Sequence, residues 1–473
     1  MQYKEIIRIL NNIEDNVPIS KIEYKNLKIW PIIRLEMWKI LYSRFKNSGE
    51  EPAKKKNLIE KIVEKVNIYV GFILYKLNPN KYKETDVVFL IARLERTIQV
   101  ENKYFSRFSN SLQEILKEVG VDSVTLDLSS KKKPVWGNTY FIDREKIFSL
   151  KQKVEIQNWE KLEKYLENNF PNIKLNKDFI INNIEATLEY EKIFERILKK
   201  INPKVCFLEC YYHPTGWGYI RACRKLNIKT VEVQHGEQHG LYRAWNNIPA
   251  GGYDIMPHLW WCWGEESARE INKWSEAVYP EHQAFVGGNP WISRFVSNTN
   301  KDTGDKKRSS KNILIALPNK DFPIQYILEA VRGSPANWHW QVRLHPMRIK
   351  DPIIKEKTLK EFAWTGNSNI EVEKSSSMPL FDILLNTDFL ITPWSTVAYE
   401  ALVFEVHPII TDTESIDVFG AYAKNGLFSF ANTSEKILEI LRKDKSEFNF
   451  KEEIPYIETD RVKMKTILKD LVK

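Results

Sequence analysis

Cysteine is scarce in this chain: four in 473 residues, Cys206, Cys210, Cys223 and Cys262. Histidine is nearly as scarce, at eight. Cys206 and Cys210 stand four apart, as do His235 and His239, and that spacing raises the question of zinc. If 206–210 is extended, however, the two thiols lie roughly 13 Å apart along the strand, too far to share one ion. Reduced thiols in a cytosolic core, with no metal and no cofactor, are the expectation. Long hydrophobic runs are also missing. The longest apolar stretch, VNIYVGFILYKL, is too short to span a bilayer. The start, MQYKEIIRILNNIEDN, is charged and has no apolar centre, so no secretory leader is expected. These absences together predict a cytoplasmic protein.

Charge is present but uneven. The net charge is +9. The first 85 residues hold about 17 basic and about 10 acidic side chains, an excess of about +7, and the remainder is nearly neutral. A nucleic-acid-binding domain usually carries its basic stripe on the folded body, so nucleic acid is not expected as a partner. A basic arm at one end suits an anionic membrane surface or an acidic partner. The inner face of the cell membrane is therefore a second expected location, peripheral rather than spanning. The arm reads as helical, with Ile6, Ile7, Leu10 and then Ile32, Ile33, Met37, Trp38, Leu41 at spacings of three and four. LIEKIVEKVNIYVGFILYKL follows as an amphipathic helix, either docked on the body or lying on a membrane.

At 86 the pattern changes. DVVFLIA is a continuous apolar, β-branched run, as in a parallel strand buried on both faces. SLQEILKEVG reads as a helix and VDSVTLDL as the next strand, which completes a βαβ unit. Residues 142–201 read as helical. KVCFLEC, KTVEVQHG and HLWWCWG follow as strands, with GYIRACRKLNI and ESAREINKW as helices. Residues 298–310, NTNKDTGDKKRSS, have no apolar anchor and read as a linker. The α/β pattern then restarts: NILIALP, WHWQVRLHP, NIEVEKS, DFLITP and HPIITDT as strands, PIQYILEAVRGS, MPLFDILLNT and STVAYEALVF as helices. The predicted organisation is a helical basic extension (1–85), a first Rossmann-like lobe (86–297), a linker (298–310), a second Rossmann-like lobe (311–450) and a C-terminal helix (451–473). The fold class is α/β, two lobes facing a central cleft.

Open parallel sheets bind ligands at the carboxyl ends of their strands, and the polar clusters fall there. KVCFLEC ends at Glu209, Tyr211, Tyr212 and His213. KTVEVQ ends at His235, Glu237 and His239. The glycines of QHGEQHG argue against a helix and for a loop with close backbone approach. A neutral imidazole there is a good proton acceptor for a hydroxyl nucleophile. Glu237, His239 and Glu209 are the other candidate bases. In the second half, NILIALP leads to Lys320, and WQVRL ends beside Arg343, His345 and Pro346. In ITPWSTVAYEAL, Ser395 or Thr396 reads as the N-cap of a helix whose first turns would favour a phosphate. Glu400, one turn in, could accept hydrogen bonds from ribose hydroxyls or pair with a lysine.

VEVQHG, GNP (288–290), RLHP and PWSTxxxEAL together resemble the GT-B glycosyltransferases, over roughly 86–450. More narrowly they resemble bacterial capsule and surface-polysaccharide enzymes that include Kdo transferases and polysialyltransferases. The teichoic-acid glycerophosphotransferases, which use CDP-glycerol, are similar in the same elements. The resemblance implies that His345, Pro346, Ser395 and Thr396 hold the donor nucleotide and its phosphate, and that His235 lies on the acceptor side. It implies a metal-independent glycosyltransferase that moves a sugar from a nucleotide-activated donor, a CMP-sugar such as CMP-Kdo, to an oligosaccharide or lipid-linked glycan of a growing surface polysaccharide. Transfer of glycerol or ribitol phosphate from a CDP-alcohol is the nearest rival. A non-catalytic subunit of glycan assembly and a sugar-nucleotide epimerase are more distant ones.

Overall fold

The computed structural model describes residues 2–45, 82–91, 96–128, 134–142, 155–236, 238, 253–278, 280–296, 310–318, 322–345, 348–349, 351–412, 415–450 and 456–473. They form two compact units, one of Gln2–Arg294 with Glu458–Lys473 and one of Phe295–Ile457.

The first unit is built on seven parallel strands: β1 (Val87–Ile91), β2 (Ser123–Asp127), β3 (Thr139–Phe141), β4 (Val205–Leu208), β5 (Lys229–Val233), β6 (Leu259–Cys262) and β7 (Gln283–Val286). Their order is β7-β6-β5-β4-β1-β2-β3. All five residues of β1 are buried, as its unbroken apolar run predicts for a central strand covered on both faces. Phe89 of β1 stacks on Phe207 of β4 at 4.9 Å. β3 is one strand the sequence does not advertise; Thr139, Tyr140 and Phe141 are only half-buried at the sheet's end.

The N-terminal arm packs on this unit. In the helix Gln2–Asn16, Ile6, Leu10 and Ile13 recur at i, i+4 and i+7 and are fully buried, one face of a helix. The helix Trp30–Phe45 buries Trp30, Ile33 and Met37. Both share a core with Trp159, Leu162, Ile180 and Ile184. Within it, Arg34 Nε meets Glu14 Oε1 at 2.6 Å, and Trp30 Nε1 donates to the same oxygen at 2.9 Å. So the described part of the arm is docked. The amphipathic helix expected over 58–77 lies outside the described residues.

The chain returns to the first unit at its end. Asn289 N donates to the Glu458 carbonyl at 2.8 Å, and Glu458 N to the Trp263 carbonyl at 2.7 Å. The helix Arg461–Val472 then lies along the helix Ser109–Glu118, with Arg461 and Lys465 both paired to Glu118. Gly288 has φ +85°, and a Cβ there would lie 2.6 Å from Met464 Cε. Glycine is therefore needed for conformation and for space.

The second unit has six parallel strands: β8 (Asn312–Ala316), β9 (His339–Arg343), β10 (Ile370–Glu371), β11 (Phe389–Thr392), β12 (His407–Ile410) and β13 (Ser429–Phe430). The order is β10-β9-β8-β11-β12-β13. Numbered from the first strand of each unit, the first sheet runs 3-2-1-4-5-6-7 and the second 3-2-1-4-5-6, so both contain the order of a dinucleotide-binding Rossmann sheet. NIEVEKS is only partly a strand. After Ile370–Glu371 the chain turns helical over Glu373–Ser377, because the Glu371 carboxylate accepts from Lys374 N and Ser375 N at 2.5 Å each. Likewise the helix after β4 starts at Pro214, ahead of GYIRACRK. His213 Nδ1 accepts from Gly216 N at 3.1 Å, and a proline at the first turn costs no hydrogen bond.

Three histidines serve structure. His282, 1 % exposed, faces the Pro257 carbonyl with Nδ1 at 2.8 Å and accepts from Tyr253 N with Nε2 at 3.2 Å. His258 Nδ1 accepts from Thr230 N, and His407 Nε2 pairs with Ser429 Oγ. Burial lowers His282 and His258 to about 4 and His407 to about 3. Each binds a proton less readily folded than unfolded. Their stabilisation is therefore complete above pH 6.5 and is lost as pH falls towards 4. For His282 alone the loss by pH 4 is on the order of 3 kcal/mol. We expect the urea midpoint to drop steeply between pH 6.5 and 4.5; a flat profile would contradict the neutral, buried state of these rings.

Candidate functional site

In a Rossmann-like sheet the strand order reverses between the first and fourth strands, and the crevice there is where ligands bind. In the first unit this is the gap between β1 and β4. The residues just past β1, 92–95, lie outside the described residues. Just past β4 stands Glu209, 3 % exposed. Its Oε1 accepts from Ser109 N at 3.0 Å, from Ser109 Oγ at 2.6 Å and from Ser106 Oγ. Glu209 thus accepts hydrogen bonds at the first turn of the ten-residue helix Ser109–Glu118, where the helix dipole favours negative charge. Burial raises its pKa, against the serine hydrogen bonds and the Arg107 charge. Asn110, Gln113 and Thr125 continue this buried polar cluster: Ser106 N donates to Asn110 Oδ1 at 2.7 Å, and Asn110 Nδ2 to Gln113 Oε1 at 2.6 Å. The sequence reading singled out Glu209 but not its serines. Their signal is SRFSNS, a largely polar run at the entry to an apolar-periodic helix.

One strand further, β5 ends in Gln234-His235-Gly236. Gln234 is fully buried. Its Oε1 accepts from Trp263 N at 2.6 Å and its Nε2 donates to the Gly236 carbonyl at 2.9 Å. Its own carbonyl accepts from Trp263 Nε1 at 2.9 Å. The glutamine therefore fixes the turn on both sides of His235. His235 is half-buried, and its Nε2 lies 3.2 Å from the Tyr212 hydroxyl, with the two rings roughly parallel at 28°. Burial lowers its pKa to about 4; a backbone bond to Val233 acts the other way, and the Arg107 charge adds to the lowering. At neutral pH the ring is uncharged. Gln234 is the support that spacing alone does not reveal, while Tyr212 stands where the strand-end rule put it. Glu237 and His239 lie outside the described residues.

The second unit's reversal falls between β8 and β11. Lys320 and Pro346 lie outside the described residues. His345, two residues past β9, is half-buried, and its carbonyl accepts from Arg348 N at 2.8 Å and Ile349 N at 3.1 Å, so it opens a tight turn. Burial, then the Arg348 charge, lowers its pKa. Arg343 Nη1 donates to the carbonyls of Ser375 and Met378 at 2.6 Å each, tying the end of β9 to the following short helix. Past β11, Ser395 Oγ accepts from Val397 N at 3.3 Å, while Thr396 takes a helical conformation with no side-chain cap. Their helix, Val397–Val403, has seven residues. An anion at this edge would depend on side chains more than on so short a dipole. Trp394 packs edge-on against Phe322 at 5.3 Å. Glu400 is 3 % exposed, within the first turns of that helix. His345, Ser395 and Thr396 thus share one carboxyl edge, on β9 and β11, either side of β8.

Among the described residues no helix is long and apolar enough to cross a membrane. No protein-family model and no curated protein matches the chain. Solved structures do. A UDP-N-acetylglucosamine 2-epimerase superposes with a TM-score of 0.53 at 14% identity, over 83% of this chain and 96% of that one. The UDP-GlcNAc 2-epimerase from Neisseria meningitidis, bound to UDP-GlcNAc, gives 0.52 at 14%, over 82% and 99%. The wall teichoic acid polymerase TagF gives 0.47 at 11%, over 88% and 98%. At such identities the likeness to the epimerases is one of fold: this chain carries the two Rossmann-like α/β lobes of the GT-B class.

Proposed function

We propose that this protein is a metal-independent glycosyltransferase that moves a sugar from a CMP-activated donor, such as CMP-Kdo, to a hydroxyl of a growing surface glycan. The observation that carries the reading is His235: an uncharged imidazole at the carboxyl edge of a Rossmann-like sheet, braced by Gln234 and facing a tyrosine hydroxyl. In this reading the first lobe holds the acceptor. The acceptor hydroxyl gives its proton to His235, its oxygen bonds to the anomeric carbon, and the bond from that carbon to the phosphate oxygen breaks. The electron pair leaves with CMP. A pKa near 4 keeps the base free of protons but makes it weak. The negative charge of the bound donor raises it towards the working range. The second lobe holds the donor, with His345, Ser395, Thr396, Arg343, Lys320 and Pro346 around the nucleotide and Glu400 towards the ribose. Fixed donors of hydrogen bonds offset the leaving phosphate's charge.

The second reading is a nucleotide-sugar epimerase, since the two epimerases above share the fold. It would convert donor with no acceptor present. Thermal shift with CMP, CDP, UDP, GDP and TDP separates the donors. At 100 times Kd a ligand adds about 2.7 kcal/mol, or several degrees for a lobe of this size. CMP is expected to give the largest shift, and His345→Ala to abolish it. UDP as sole winner would favour the epimerase reading, and an unchanged shift in His345→Ala would misplace the donor site. Product analysis with CDP-glycerol as donor tests polyol-phosphate transfer, the nearest rival.

A further inference from the structure

Between the arm and the first lobe lies a cavity of about 150 Å³ that the proposed chemistry does not use. Its walls come from three places. The helix Trp30–Phe45 supplies Ile32, Leu35, Glu36 and Lys39, at i, i+3, i+4 and i+7, one face of that helix. The helix Lys177–Ile201 supplies Phe179, Ile180 and Asn183. The turn after β4 supplies Cys210, Tyr212 and His213, with Trp217 behind them.

We infer that this cavity is the acceptor subsite, and that it takes one pyranose ring of the glycan. The inference rests on the reading that the first lobe holds the acceptor. Size is the first argument. An engineered apolar cavity of about 150 Å³ admits benzene, whereas sites for drug-sized ligands run to about 300–1,000 Å³. One six-membered ring fits and a nucleotide does not. Lining is the second. Leu35, Phe179 and Tyr212 offer apolar and aromatic faces, while Glu36, Asn183 and Lys39 offer acceptors and donors. A pyranose has both kinds of surface: C–H faces that lie on aromatic rings and a girdle of hydroxyls. The Trp217 indole N–H is buried at 4 % exposure and has no acceptor among the described residues. A ring hydroxyl would supply one. Phe179, at 41 % exposure, and Lys39, whose ammonium lies 5.9 Å from the Phe179 ring centre, give the site an accessible side. Position is the third argument. Tyr212 belongs to both sites, since it lines the cavity and its hydroxyl meets His235 Nε2. Tyr212 thus borders both a ring held here and the base.

The arm thus acquires a role in choosing the acceptor, besides its place in the core. Cys210 supplies the reporter. It lines the cavity and is half-buried, while Cys206, Cys223 and Cys262 are fully buried. Iodoacetamide should therefore alkylate Cys210 well ahead of the other three in the folded full-length protein. A panel of methyl pyranosides (glucose, galactose, N-acetylglucosamine and Kdo) at millimolar concentration should slow that alkylation at least threefold for one member. Leu35→Trp, which fills the cavity, should remove the protection and lower turnover on glycan acceptors tenfold or more, with the CMP thermal shift unchanged. Asn183→Trp serves as the second filling variant should Leu35→Trp fail to fold. If no pyranoside protects Cys210, and either folded variant turns over as the parent does, the acceptor subsite is elsewhere while the nucleotide shift still upholds the transferase. If no nucleotide shifts the parent's melting, the transferase reading itself fails.

Discussion

His235→Ala is expected to lower turnover by about 10²–10⁴-fold, the range of a lost general base, and to leave the nucleotide thermal shift within a degree of the parent. The reason is local. Gln234 braces the turn through Trp263 and Gly236, so the backbone keeps its course when the imidazole goes. What is lost is the proton acceptor beside Tyr212. Three controls sharpen the result. Tyr212→Phe keeps the ring and removes the hydroxyl, and should cost far less than His235→Ala. Gln234→Ala should lower turnover through position: the pH profile keeps the parent's shape while its height falls. Glu209→Gln should act mainly on stability, because its carboxylate already serves Ser106 and Ser109 at a helix start. Normal turnover in His235→Ala would return the base role to Glu237, His239 or Glu209, and the first lobe's chemistry would have to be rebuilt around that residue.

Strands were the most legible part of the fold. Val87–Ile91, Val205–Leu208, Asn312–Ala316 and Phe389–Thr392 are unbroken apolar runs, because a parallel strand sandwiched by helices has no wet face. Alternation of strands and helices implied parallel sheets, while their strand order came only with the fold. Edge strands escaped. Thr139–Phe141 and Ser429–Phe430 are short and half-buried, and so lack the pattern that betrays a strand. Long-range partners escaped as well. Nothing local to Arg461–Val472 says that it will pair with Glu118, three hundred residues earlier in the chain. In the candidate site the sequence rule put His235, Glu209 and His345 at strand ends, and they stand one or two residues past strands. It could not find the buried groups that hold them. Gln234 reads as one more polar residue in QHGEQHG until Trp263 is folded against it, and Ser106 and Ser109 look like ordinary loop and cap residues until Glu209 arrives from another strand.

The second large effect concerns the arm. Glu14 and Arg34 form a buried pair, with side chains 6% and 1% exposed. Burial raises the Glu14 pKa, more than Arg34 and Trp30 lower it. The folded carboxyl therefore binds its proton more tightly than the unfolded one, and this group's contribution to stability falls as pH rises through its titration. The ionised pair at neutral pH is thus no asset over an uncharged arrangement of the same shape. Removing one partner is another matter. A guanidinium keeps its charge at any working pH, so Glu14→Ala leaves Arg34 buried without that carboxylate. The expected cost is about 3–5 kcal/mol, read from the urea midpoint of the full chain. Glu14→Gln with Arg34→Met should lie within about 1 kcal/mol of the parent, since the glutamine carbonyl still accepts from Trp30 Nε1 and no charge remains to be satisfied. A loss below 1 kcal/mol in Glu14→Ala would show the arm to be only loosely attached. The same variant tests how the arm bears on the acceptor site. Arg34 stands on the helix that walls the cavity, one residue from Leu35. If the pair is what seats that helix, Cys210 alkylation should quicken in Glu14→Ala and return to the parent's rate in the double variant, so that the energetics of the arm and the access to the proposed subsite move together.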